Sequence, residues 1–252
     1  MYQLCCIAAA AKKALKDKSK VSYTPIKYEN KIEFQFLPER KLFCTKAYKA
    51  ENVEEWFNHC INKGLQDIKM LAPVAVKDRN RLGFSNTTES SLVCFYATRT
   101  SYFTARWDFD SANKVWNILY TEHEWPNAPA GKPYFENNAQ DFKNILLQIR
   151  ELAQKIDCNH FAGVFQKAHD ILLGSTDYTD DTYNLPLPEI PKENLDLFKA
   201  ASTADVFGAM GSWSDSPPYM AHEKGLDKEY ESLSEELLKQ VRRAVLFSIN
   251  EW

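Results

Sequence analysis

Glycine is scarce in this chain, at 8 of 252 residues against a usual share of ~7%. None of the eight falls into G-x-G-x-x-G, G-x-x-x-x-G-K-[ST] or G-x-S-x-G. The backbone cradles that hold nucleotide phosphates, and the strained elbow that presents a serine nucleophile, therefore have no sequence support. H-E-x-x-H and C-x-x-C are missing as well, which removes the spacings of a zinc protease helix, a zinc ribbon and a thioredoxin-type redox pair. Long apolar runs are also lacking. The run Leu4 to Ala11 is eight residues, well short of the ~20 that span a bilayer. Its charges follow it where those of an export signal precede it, which predicts a first helix and no membrane association. These absences lead us to expect no catalytic residues, no cofactor and no metal centre, and hence a protein that is not an enzyme.

What is present is ordinary for a folded chain: 44% hydrophobic and 26% charged residues. The length corresponds to roughly 1.7 domains at ~150 residues each. Cysteines stand at 5, 6, 44, 60, 94 and 158. A chain this long builds its core without disulfides, and adjacent Cys5 and Cys6 bridge only under strain, so a reducing cytoplasm is the expected compartment. The net charge of −3 hides an asymmetry. Residues 1–50 carry 11 Lys and Arg against 4 Asp and Glu, residues 51–120 carry 8 of each, and residues 121–252 carry 12 against 22. The head is basic and the tail acidic.

The first half reads as α+β. Lys31 to Phe36 alternates, with Ile32, Phe34 and Phe36 on one face, and predicts a half-buried strand flanked by strands at Val21 to Tyr28 and Lys41 to Tyr48. Asn52 is placed to cap a helix whose apolar positions Val53, Trp56, Phe57, Cys60 and Ile61 recur at helical spacing, with Gly64 as its stop. Further strands are expected at Leu92 to Thr98, Tyr102 to Phe109 and Val115 to Thr121, the last two joined as an antiparallel hairpin by Asp110-Ser-Ala-Asn113. Three prolines and a glycine in Trp125 to Pro133 then mark a boundary. Beyond it, Phe142 to Ile156 and Phe161 to Leu172 carry apolar stripes of period 3.6, as does the stretch from Asp227 to the end. Gly174 to Asn194 and Ser212 to Gly225 read as long polar loops. The expected fold is α+β: an antiparallel sheet with two helices over 1–125, a proline-rich linker over 126–136, and an acidic all-α domain over 137–252.

Several constellations invite a chemical reading. Glu122-His123-Glu124 follows a strand; carboxylates beside an imidazole would raise its pKa, but strand alternation sets His123 on the face opposite both. Cys158, His160 and His169 are zinc-type ligands without a fourth at motif spacing. His59-Cys60 lies on the helix capped by Asn52. Asp177, Asp180 and Asp181 offer carboxylates to a hard cation, but lack the alternating ligands and turn glycine of an EF-hand loop; a solvated loop and a surface for a basic partner are the other readings. Lys12, Lys13, Lys16, Lys18 and Lys20 suit phosphate or an anionic membrane, yet they are also the ordinary solvated end of an amphipathic helix and contain no arginine to read bases. We expect no nucleic acid partner. The most distinctive string is Phe207-Gly-Ala-Met-Gly-Ser-Trp-Ser-Asp215. It spends two glycines three residues apart, which suggests a tight turn with Gly208 or Gly211 at positive φ, anchored by Phe207, Met210 and Trp213, with Ser212 or Asp215 capping the next segment.

That string resembles the hallmark of a small bacterial domain family, F-G-G-M-G-S, then an apolar residue, then N-D. Its members place two amphipathic helices before the motif and one after it. The resemblance covers about residues 139–252. Ala209 replaces the second glycine and Ser214 the asparagine. Members are associated with small proteins encoded near bacterial toxin modules, so the resemblance implies an immunity role.

These readings converge on a protein-binding module that neutralises a toxin by occluding it. Asp177, Tyr178, Asp180, Asp181, Glu189, Trp213 and Asp215 are the expected contact residues, with a basic toxin domain as partner. The alternative is a small-molecule enzyme with an acid/base site at His123 and Glu122. A third reading is a structural protein that joins head to tail through its opposite charges, in a salt-dependent way.

Overall fold

The computed structural model describes residues 1–38, 47–75, 90–175 and 187–252. Among them are six strands in one sheet and seven helices, grouped into two compact units. The first unit holds described residues 1–72, 90–133 and 187–189; the second holds 73–75, 134–175 and 190–252. Neither is a single stretch of chain.

The first unit begins with α1 (Tyr2–Asp17). Its Leu4, Cys5, Ile7, Ala8, Ala9 and Ala11 are buried, and the small alanine side chains let the helix lie close to the strands below. Strands β1 (Glu29–Gln35), β2 (Lys49–Ala50), β3 (Leu65–Leu71), β4 (Ser91–Tyr96), β5 (Thr100–Asp110) and β6 (Val115–Glu124) form a sheet in the order β2-β1-β6-β5-β4-β3. Helix α2 (Val53–Asn62) is capped by Asn52, whose side chain accepts from Glu55 N at 2.8 Å, and Gly64 follows it at φ +81°. At the centre of the core, Phe34 stacks between Trp56 and Tyr120, each ring centroid at 4.8 Å, while Phe103 meets Phe34 and Trp56 edge-on. Stacked and edge-on pairs of this kind contribute beyond the area they bury.

Three expectations for this half need correction. The sheet is mixed where an antiparallel one was expected, because β1 runs parallel to β6. Alternation tells which face of a strand is buried and nothing about which neighbour it pairs with, so a crossover of this kind leaves no local signal. Val21 to Tyr28 is no strand; Pro25 removes a ladder donor, and a turn from Ile26 O to Glu29 N bends the chain there. Strand β3 went unforeseen because Asp67 and Lys69 interrupt its apolar pattern, although Lys69 is buried. Of the expected strand Lys41 to Tyr48, residues 41–46 lie outside the described residues. The Asp110–Asn113 turn forms as expected: Asp110 Oδ1 accepts from Ala112 N and Asn113 N at 3.0 and 3.1 Å, and β5 and β6 pair antiparallel.

No helix or strand occurs between Trp125 and Asn138. In the second unit, α3 (Ala139–Lys155), α4 (Asn159–Leu172), α5 (Lys192–Ala204) and α7 (Asp227–Asn250) pack in a closed ring, α3 on α4, α4 on α5, α5 on α7 and α7 on α3. A four-helix arrangement buries one stripe from each member: Phe142, Ile145, Leu146 and Ile149 from α3, Ala162, Phe165 and Ala168 from α4, Leu197, Phe198 and Ala201 from α5, and Leu237, Val241, Ala244 and Val245 from α7. Buried amides fix the ends. Asn138 donates to Gln240 O and Oε1 at 2.9 and 2.6 Å, and Asn194 donates to Ser248 O and Glu251 O at 3.2 and 3.0 Å. Helices α5 and α6 (Pro217–Glu223) correct the reading of this half. Pro217 stands at the start of α6, where its missing N–H costs no helical bond, so the proline pair that suggested a loop begins a helix.

Candidate functional site

The turn after α5 carries the distinctive string. Gly211 is at φ +80°; Gly208 is not among the positive-φ residues, so the left-handed position belongs to Gly211 alone. Asp215 Oδ2 accepts from Gly211 N at 2.8 Å, Ser212 Oγ donates to Gly208 O at 2.9 Å, and Ser214 N donates to Ser212 Oγ at 3.2 Å. Ser212 and Asp215 thus close the turn on itself, and neither caps α6. Trp213 is 0% exposed. Its Nε1 donates to Ser234 Oγ at 2.8 Å, its carbonyl accepts from Tyr230 Oη at 2.6 Å, and Phe161 and Phe165 meet its ring edge-on at 5.2 Å.

This geometry overturns two assignments. Trp213 belongs to the core and is no contact residue, since an indole hydrogen-bonded and fully desolvated inside one unit has no surface left for another chain. Met210, expected to anchor the turn, is 92% exposed; the anchoring comes from Trp213, and Phe207 is half-buried. Tyr219 in α6 is 63% exposed. Asp215, Glu223, Asp227, Glu231 and Glu235 are exposed as well. The segment therefore presents two large apolar side chains, and its exposed charged residues include Lys224 and Lys228 as well as the acidic ones.

Asp177, Tyr178, Asp180 and Asp181 lie outside the described residues. Glu189 belongs to the first unit, where it pairs with Lys13 Nζ at 2.6 Å, a contact that raises the lysine's pKa.

In the first unit, Glu122 and His123 separate as strand alternation requires. Glu122 is 2% exposed and accepts from Ser101 Oγ at 2.7 Å and Leu37 N at 3.0 Å, with Arg99 Nη2 at 3.4 Å. His123 Nε2 lies 3.0 Å from Thr104 Oγ1, and its ring stacks on Tyr102. The two do not form an acid/base pair. The imidazole that senses Glu122 is His59, 63 positions earlier on α2, stacked on Tyr48 at 4.1 Å and met by Phe36 at a tilt at 4.3 Å. Burial lowers the His59 pKa, the Glu122 charge opposes that shift, and Arg99 adds to it. Cys94 is held as a thiol by its hydrogen bond with Cys60 and by burial, and burial likewise keeps Tyr96 a phenol. A carboxylate supplied with these donors holds Leu37 and Ser101 in place. A hint of this cluster was available in the sequence, since an ionisable residue on the buried face of a strand needs partners.

Among the described residues, no group of three or more His, Cys, Asp or Glu side chains is placed to hold a metal ion. Cys158 precedes α4, His160 lies edge-on to Phe161, and His169 Nδ1 is 3.8 Å from Asp170 Oδ1. No helix of the described residues is long and apolar enough to cross a membrane. Set against protein families, curated proteins and solved structures, the chain matches none.

Proposed function

We propose that this chain is a cytoplasmic protein-binding module of the immunity kind, which neutralises a basic toxin domain by occluding it. In this reading a sheet-containing N-terminal domain precedes an acidic helical domain, and the helical domain meets the partner. One observation carries the proposal: Met210 stands 92% exposed on a turn that buried Trp213 and the Gly211–Asp215 bond hold rigid. A flexible apolar side chain on a fixed turn is a pre-organised anchor, and such anchors account for most of the energy of an interface. The acidic excess over residues 121–252, 22 Asp and Glu against 12 Lys and Arg, suits a partner whose own cleft binds phosphate. The F-G-G-M-G-S resemblance supports the same role, and Met210 occupies the methionine of that hallmark.

The test pairs the chain with the product of the neighbouring reading frame, produced together in one cell and as purified proteins. Wild type is expected to protect growth and to bind. The double variant M210D/Y219D is expected to fold normally by circular dichroism and to bind at least ~100-fold more weakly, the loss of about two hot-spot contacts. Reversing the charges with D177K, D180K and D181K is expected to weaken binding too. A double variant that binds and protects as wild type does removes this surface from the proposal.

A further inference from the structure

We infer that a cleft beside the C-terminal half of α1 binds a small phosphate ester. The cleft has a volume of about 290 Å³, near the lower end of small-molecule sites at ~300 Å³, and all its lining residues belong to the first unit. Its lining mixes the apolar Ala10, Ala14, Leu187 and Pro188 with Lys13, Lys20 and the hydroxyl-bearing residues Ser19, Ser22 and Thr24. Cys6 is on the lining, where burial raises its pKa and keeps it a neutral thiol. The hydroxyl of Tyr23 is engaged by buried Glu29 at 2.9 Å, so Tyr23 offers its ring as wall.

The chain supplies its own stand-in for the anion. Glu189 is on the rim and pairs with Lys13 at 2.6 Å, although both side chains remain largely in water, where a salt bridge adds little. Glu189 is the main carboxylate acting on Lys13, and the Asp17 charge adds to it. Lys20 Nζ lies 3.9 Å from Glu54, and the Lys20 side chain is 88% exposed. A phosphate monoester carries about −1.5 to −2 at neutral pH and three strong acceptor oxygens, which suits two ammonium groups and the hydroxyls of Ser22 and Thr24 better than a carboxylate does. An ester's organic group would lie against the apolar Ala10, Ala14, Leu187 and Pro188 of the lining. Of the five lysines between 12 and 20, the cleft uses Lys13 and Lys20, seven positions apart. This inference does not rest on the immunity reading.

Calorimetric titration of the full chain with phenyl phosphate at low salt tests it, alongside inorganic phosphate, benzoate and vesicles containing phosphatidic acid. Saturable one-to-one binding of phenyl phosphate is expected, weaker for benzoate and for inorganic phosphate. E189Q, which removes the competing carboxylate, should bind phenyl phosphate about threefold or more tightly, and K13A/K20A about tenfold or more weakly. All these side chains are solvent-facing, and a thermal melt confirms that each variant folds. Absence of saturable binding in both wild type and E189Q overturns the inference, as does full binding by K13A/K20A. Equal affinity for inorganic phosphate and phenyl phosphate overturns the ester assignment. Binding to the vesicles without saturable binding of phenyl phosphate assigns the lysines to a lipid surface and likewise overturns it.

Discussion

Around Glu122 three donors from separate parts of the chain converge on one carboxylate: Leu37 N just beyond β1, Ser101 on β5 and Arg99 between β4 and β5. A buried carboxylate is tolerated on such terms, because each unmet donor left by its removal would cost about 1–3 kcal/mol. E122A is therefore expected to destabilise the protein by about 2–4 kcal/mol in urea unfolding. His59 reports the charge directly. Burial lowers its pKa on folding, so folding favours the neutral imidazole. The stability tied to this group is present above its unfolded pKa and declines as pH falls through the folded value. In a proton NMR titration the imidazole should titrate below 6.5, lower still in E122Q, where the favourable negative charge is gone, and higher in R99Q. A His59 that titrates alike in all three proteins would separate it from the carboxylate.

Among the elements, glycine offers a paired comparison. Gly163 sits on the exposed face of α4 with no atom near the position of an added Cβ, and Gly211 has equally open space but a φ of +80°. Sterics are thus equal and only the backbone differs. G163A should stabilise by about 0.5–1 kcal/mol, the difference in helix propensity, and G211A should destabilise by about 1–2 kcal/mol, the cost of a left-handed alanine. Thermal melts of the two variants should move in opposite directions, and a G211A protein as stable as wild type would mean that the turn relaxes. Elements with an uninterrupted period were legible in the sequence: β1 through Ile32, Phe34 and Phe36, α2 through its Asn52 cap, and α3 through Phe142 to Ile156. Those whose pattern is broken by charge or proline were not, as in β3 with Asp67 and Lys69 and α6 with Pro217. For α5 the signal existed in Leu197, Phe198, Ala201 and Ala204, but it lies just beyond a proline-rich stretch. The β1–β6 pairing had no local signal, since a parallel partner brought from far along the chain is chosen by topology.

For the whole molecule, a formal charge of −3 understates the field that a partner meets, because the basic and acidic residues are segregated along the chain. The same segregation explains why the candidate contact surface was only partly legible: acidic composition pointed to the second half, but which aromatic or apolar residue faces solvent depends on packing. Trp213 and Met210, three positions apart, exchange the roles that their types suggest. If acidic residues steer a basic partner toward Met210 and Tyr219, association should be fast at low salt and slow as the Debye length shrinks from ~30 Å at 0.01 M to ~10 Å at 0.1 M. Dissociation, governed by the apolar contacts once formed, should change little. In stopped-flow or surface-binding measurements the association rate constant is expected to drop by about tenfold or more between those salt concentrations, while M210D raises the dissociation rate at either. Sedimentation of the chain alone at both concentrations distinguishes this from head-to-tail self-association, which would raise the apparent mass at low salt without any partner. An association rate indifferent to salt would leave Met210 and Tyr219 as the contact and remove the acidic residues from it.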